Sequence, residues 1–120
     1  MSRPRRVASV AATAICAGVL AAGCSGGSGT LGRHACAEVA TSLRQFDAAQ
    51  RSRDAHAASA LRASALTALR RALPLAALAA SSDGQWQALE ATLSESSRVP
   101  ESELVSALVA QCTGSVSLPS

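Results

Sequence analysis

The chain has no lysine, no asparagine and no tyrosine, and its 120 residues include a single tryptophan and a single phenylalanine. These absences narrow the choice of functions. Nucleic-acid binding draws its affinity from phosphate neutralisation and base stacking, and a chain with two aromatics and no basic run outside its first residues supplies neither. Without lysine there is no Ser-x-x-Lys arrangement, and no serine lies in a Gly-x-Ser-x-Gly setting. No Glu-x-x-His pair is present, which removes the ferritin type of metal bundle. No His or acid stands at metal-ligand spacing from a cysteine. Glycine is also scarce: between Arg33 and Gln111 only Gly84 interrupts the chain. β-branched residues are few there, so strand-forming stretches are lacking.

What is abundant is alanine, leucine, arginine, glutamine and glutamate, the strong helix formers. The formal net charge is +3, from 11 basic and 8 acidic residues. Every basic residue is arginine, and three of them, Arg3, Arg5 and Arg6, crowd the N-terminus. Eleven less three leaves eight, so the chain beyond that cluster is formally neutral against its 8 acids.

The first 24 residues divide into three zones. Arg3-Pro4-Arg5-Arg6 is a positive start, Val7 to Ala22 is uncharged and small or apolar, and Leu20-Ala21-Ala22-Gly23-Cys24 sets a cysteine after small residues. This is the layout of a secretory signal. It resembles the lipobox of bacterial lipoproteins, which implies acylation of the Cys24 thiol and a mature chain beginning there. Ala21 stands where leucine is the commoner residue of that motif. An ordinary signal peptide or an uncleaved anchor helix are the alternatives, although about 16 Ala- and Gly-rich residues make a short span. All three readings place the remainder outside the cytoplasm, and general secretion fits better than twin-arginine export. Residues 24–33 read as a flexible Gly/Ser tether, whose Ser25–Thr30 run has a reach of about 15 Å as a coil. Two or three acyl chains would give a stable anchor.

Cys16 falls within the leader, leaving Cys36 and Cys112 beside Cys24. In an oxidising compartment these two are expected to pair, with a buried free pair or an interchain bridge as alternatives. A bridge closing most of the domain would contribute roughly 4 kcal/mol, less any strain. That is large for about 80 residues, whose apolar core leaves little margin.

Residues 34–113 are expected to form an all-α bundle of about four helices, with residues 114–120 fraying. The first helix is placed from His34 or Ala35 to the mid-50s, on the stripe Cys36, Val39, Leu43, Phe46 and Gln50. Arg44, Asp47, Arg51 and Asp54 form a ladder of ion pairs on another face. The second helix, from Ala57 or Ser59, carries Leu61, Ala65, Leu69 and Ala72, with Leu66 and Leu73 widening the stripe and Arg62 and Arg70 turned to water. Its start is the least defined boundary. Pro74 either kinks this helix or starts a short one over residues 75–80. Ser81-Ser82-Asp83-Gly84 is a turn, and Ser82 with Gln85 has capping-box spacing. Trp86, Leu89 and Leu93 share a third helix, and residues 94–99 form a polar connection. Pro100 suits the first turn of the last helix. Glu101 and Glu103 sit there where the dipole favours acids. Leu104, Val105, Leu108, Val109 and Cys112 make its buried face. The stretch Leu73 to Ala80 is the most apolar of the domain and reads as a buried helix end or an exposed patch.

His34 and Glu38 pair locally at the start of the first helix, and His56 is a surface or helix-end residue. Glu90 and Glu95, five apart, do not converge. No nucleophile, base and orienter come together, so the chain is not expected to be an enzyme, and no cofactor or metal is expected.

The pattern Arg70-Arg71-Ala72-Leu73-Pro74-Leu75-Ala76-Ala77, Gln85-Trp86-Gln87-Ala88-Leu89, Thr92-Leu93-Ser94-Glu95-Ser96 and Arg98-Val99-Pro100-Glu101 resembles a group of small actinobacterial lipoproteins of uncharacterised function. The resemblance covers essentially the whole stretch from Cys36 to Cys112 and implies an address and an architecture, with no catalytic residue. The functional expectation is a non-enzymatic binding module held at the membrane by its lipid, meeting an envelope protein or another copy of itself. A carrier of a small apolar ligand between the helices is the alternative, and a purely structural envelope component is a weaker third. The number of subunits is left open.

Cells fed labelled palmitate are expected to label the native chain and not a Cys24→Ser variant. Absence of label from both, with both in the soluble cytosol, overturns the export reading.

Overall fold

The computed structural model describes the backbone of residues 10–113 and the side chains of residues 27–113. Cys24 and the leader side chains lie outside the described side chains, and the expected frayed tail, 114–120, lies outside the described residues. Four helices follow one another: α1, Val10–Arg51; α2, Ala55–Ser82; α3, Gln87–Ser94; and α4, Glu101–Cys112. There is no strand among the described residues. The all-α expectation holds, and Cys36 of α1 is bonded to Cys112 of α4, with Cα atoms 5.5 Å apart across 76 residues of sequence.

α1 and α2 form an antiparallel hairpin, the largest packing contact of the fold. The turn between them is three residues long. Asp54 ends it in an extended conformation, and its carboxylate accepts the His56 N–H at 3.2 Å, capping α2. Asp54 is therefore a cap and not a rung of the expected ion-pair ladder. Of that ladder only Asp47–Arg51 forms, at 2.8 Å, while Arg44 donates to the Thr41 hydroxyl. Glu38 pairs with Arg71 across the hairpin at 3.1 Å rather than with His34. These pairs are solvent-exposed and contribute little to stability.

The hairpin core is built from small residues. Ala65, Ala68, Ala72, Ala76 and Ala79 of α2 are fully buried beside Leu69, facing Ala35, Val39 and Leu43 of α1. Alanine lets two helix backbones approach closely, at the expense of apolar area per residue. Pro74 does not divide α2, which runs on to Ser82. Pro74 and Arg70 are both exposed, so the hydrogen bond that Pro74 cannot donate is missing on the outer side of α2. The apolar stretch from Leu73 to Ala80 is split between the two expectations: Ala76, Ala79 and Ala80 are buried, and Leu78 is 57% exposed.

The cap after α2 is Asp83, not the expected Ser82. Its carboxylate accepts the Gln85 backbone N–H at 3.1 Å and the Gln85 side-chain amide at 2.8 Å. A 3-10 turn over Gly84–Trp86 then delivers the indole of Trp86 into the core, with Leu89 and Leu93 of α3 on the same side.

The tether expected over 24–33 is corrected by the structure, because α1 runs through it. From Gly27 onward this segment also packs: Ser28 is buried, and Leu31 packs against the core. Gly32 explains the docking. The Trp86 ring lies so close to its Cα that a Cβ at position 32 would overlap the indole. A glycine read as a mark of flexibility is here the seat of the largest side chain in the core. That contact gives the first turns of the hairpin a tertiary partner, which outweighs the poor helix propensity of glycine.

Gly32→Ala is expected to destabilise the fold by about 1–3 kcal/mol, because a rigid ring must move to admit the methyl group. Trp86→Ala is expected to cost about 3–5 kcal/mol. Denaturant titration measures both. In the Gly32→Ala chain the fluorescence of the lone tryptophan should shift to the red in the native baseline. An unchanged midpoint and spectrum would show that the ring does not rest on Gly32.

Candidate functional site

α4 is short, and it is fixed to α1 at both of its ends. At its C-terminus the bond is the Cys36–Cys112 disulfide. At its N-terminus it is a polar contact inside the fold: Ser42 of α1 is fully buried, and Glu101, the first residue of α4, is 6% exposed. Ser42 Oγ lies 2.6 Å from Glu101 Oε1 and 2.7 Å from the carbonyl oxygen of Ala65 in α2. Three helices thus meet at one hydroxyl.

A serine hydroxyl carries one proton, and both of these neighbours are oxygens. If Ser42 donates to the Ala65 carbonyl, the short contact with Glu101 needs its own proton, and only the carboxyl can carry it. The arrangement is satisfied when Glu101 is protonated and donates to Ser42, which donates in turn to Ala65. Burial acts in the same direction. Desolvation pushes the Glu101 carboxyl above the ordinary carboxylate range, opposed in part by its hydrogen bond to Ser42. No arginine lies within ion-pair distance of it among the described residues.

Glu101 also forms part of a groove of about 340 Å³, bounded by α1, α2 and the connection from α3 to α4. Phe46, Leu66, Val99 and Pro100 supply the apolar lining, and Arg62 lines the groove with Glu101. Phe46 and Gln50 belong to the stripe expected to face the core. The structure buries that stripe through Leu43 and leaves Phe46 half-buried and Gln50 exposed in the groove. The connection itself is a short 3-10 turn, Glu95–Ser97, followed by Pro100, which stands just ahead of α4 rather than within its first turn. The extended backbone at Pro100 opens one wall of the groove. Among the described residues Glu101 Oε2 has no hydrogen-bond partner, whereas Oε1 is held by Ser42.

Among the residues singled out from sequence, Cys36 and Cys112 come together as expected, and Cys24 lies outside the described side chains. His34 and His56 are exposed and stand apart from the groove. No cluster of three His, Cys, Asp or Glu suited to a metal occurs among the described residues. No helix among them is long and apolar enough to cross a membrane. Ser42, Arg62, Phe46 and Glu101 were not read as a site. One signal was available: Ser42 falls three residues after Val39 and next to Leu43, which sets a polar group on the core stripe.

Comparison with known proteins finds no matching family model, no matching curated protein and no matching solved structure.

Glu101 makes stability depend on pH. A carboxyl whose pKa is higher in the folded than in the unfolded chain binds its proton more tightly when folded. Its contribution is complete below the unfolded value and is lost as pH rises through the raised folded value. Denaturant midpoints measured across that range should therefore fall with rising pH. In Glu101→Gln the amide can donate to Ser42 at every pH, so this fall should be absent. Parallel curves for the two chains would show that Glu101 holds no such proton.

Proposed function

We propose that this chain is a lipid-anchored, extracytoplasmic binding module of the cell envelope, without enzymatic activity, and that the groove over Glu101 is where it meets its partner. The observation that carries the binding role is the groove itself. It combines an apolar lining with one free, nearly buried carboxyl oxygen, a combination typical of sites that bury a small group and orient it by a few polar contacts. The leader ending at Cys24 supports the address, and the Cys36–Cys112 bond is consistent with an oxidising compartment. The resemblance to small actinobacterial lipoproteins supports the same address.

The carrier of a small apolar ligand is the second reading, favoured by the groove volume of about 340 Å³. Two features weigh toward the binding module. The groove lies open along one side, and the space between α1 and α2 is filled by buried alanine and leucine.

A photo-crosslinking residue at position 62 or 102, in intact cells, is expected to capture a distinct envelope protein. The same group at His56, on the surface away from the groove, is expected not to. Capture of lipid-derived species alone from the groove positions overturns the binding-module reading in favour of the carrier.

A further inference from the structure

The lipid expected on Cys24 constrains where the bundle sits, because little slack separates the two. Gly27 is three residues past Cys24 and lies within about 10 Å of it however those residues run. From Ser28 onward α1 is packed into the bundle, and Gly32 is seated under the Trp86 ring. The end of the bundle that carries Gly27, the last turns of α2 and the turn at Asp83 is therefore held beside the anchor. The register of the hairpin shows what that end presents. Glu38 of α1 meets Arg71 of α2. Leu31 stands seven residues before Glu38 and Leu78 seven after Arg71, two helical turns in each case. The two leucines are thus level, on the flank that carries the ion pair, and about 10 Å along α1 from Cys24. Leu31 packs against the core; Leu78 is 57% exposed, the large apolar side chain that the fold leaves in water among the described residues.

Further from the anchor the same flank becomes polar: Arg71, Thr67, Ser64 and Gln45 line a hollow there. α4 takes the opposite flank, since Cys36, which bonds it, is two residues from Glu38 and points the other way. The charge at the anchor end balances. The Arg33 guanidinium reaches back to the Thr30 hydroxyl, toward the anchor, and the Asp83 carboxylate is held by Gln85. A single exposed leucine on an arbitrary surface carries no message. One level with the first packed turns of an anchored helix does, because a phospholipid surface lies within its reach. Resting on the reading of the chain as lipid-anchored, we propose that this flank docks on the phospholipid surface that holds the anchor, with Leu78 entering the headgroup layer beside His34 and Ser82. His34 is three residues after Leu31, Ser82 is four after Leu78, and both are exposed. The headgroup layer is about 5–7 Å deep on each side of the hydrocarbon, so a lean of the hairpin toward this flank is enough to bring Leu78 into it. The same lean turns α4 and the groove over Glu101 away from the bilayer. Ser42, which meets Glu101, stands fifteen residues and about 22 Å beyond Gly27 along α1. The groove then faces the envelope, where a partner can reach it.

The test is site-directed spin labelling of the acylated chain, made in bacteria with its leader and reconstituted in vesicles of phosphatidylcholine and phosphatidylglycerol. Nitroxides are placed by His34→Cys, Ser82→Cys, Thr67→Cys and Ala88→Cys, the last on α3 near Trp86. At 34 and 82 the label is expected to lose access to a water-soluble nickel chelate, and to gain access to oxygen, several-fold relative to 67 and 88. Leu78→Glu changes an exposed side chain and is checked for an intact fold by circular dichroism. It should return position 34 to the value of 67, and Leu78→Phe should not. Equal accessibility at all four positions, in a chain that floats with the vesicles, overturns the docking and leaves the lipid anchor standing. Shielding at 88 in place of 34 overturns the choice of flank. Shielding at 34 that survives Leu78→Glu overturns the part given to Leu78. A native chain that floats no better than Cys24→Ser overturns both this proposal and the lipid anchor.

Discussion

The fold depends on α4 being held to α1 at two points. One is covalent, the Cys36–Cys112 bond; the other is the hydroxyl of Ser42, set between the Glu101 carboxyl and the Ala65 carbonyl. Because Glu101 begins α4 and Cys112 ends it, while Ser42 follows Cys36 on α1, the two helices run antiparallel. α4 makes few other contacts with α1, whose packing is spent on α2. Beside these two attachments, α4 docks through the buried Leu104 and Leu108 and through α3, where the Gln111 side-chain amide donates to the Thr92 hydroxyl. The disulfide acts whatever the pH. The strength of the serine bridge depends on pH, because burial raises the pKa of the Glu101 carboxyl and ionising it in that position costs stability.

The groove is a consequence of that geometry. The chain leaves α3 through a 3-10 turn and reaches α4 in extended backbone at Pro100, which sets Glu101 against α1 and leaves Val99 and Pro100 as a wall opposite Phe46 and Leu66. A carboxyl placed there for structural reasons ends up with one oxygen committed and one free. The same residue that docks α4 therefore also lines the groove.

Glu101 shows how far local reasoning reaches. At the start of a helix an acid is favoured by the dipole, and that reading remains correct. It says nothing of Ser42, 59 residues away, which strips the carboxyl of water and gives it a hydrogen-bond partner. Gly32 is a stronger case. In a run of Gly and Ser it carries every local mark of a linker, and only the arrival of Trp86 against its bare Cα makes it part of the packed domain. Asp83, by contrast, was legible as a turn residue, with only the capping neighbour misassigned, whereas Asp54 reads locally as a rung of an ion-pair ladder and proves to be a cap. The indole Nε1 of Trp86 is buried without a partner, a cost that the apolar area of the ring must exceed.

By itself the sequence determined what depends on near neighbours. Helix propensity and the three- and four-residue spacing of apolar groups set an all-α chain with helices close to where they form, and two lone cysteines at its ends set the pairing. Only the tertiary structure decided which polar and small residues meet across the bundle: Ser42 with Glu101 and Ala65, Gly32 with Trp86, Phe46 with the connection into α4. The physical reason is range. Periodicity and capping act over a turn or two of helix, whereas desolvation of a carboxyl, the division of one hydroxyl proton between two oxygens and the shape of a groove exist only after distant segments have packed.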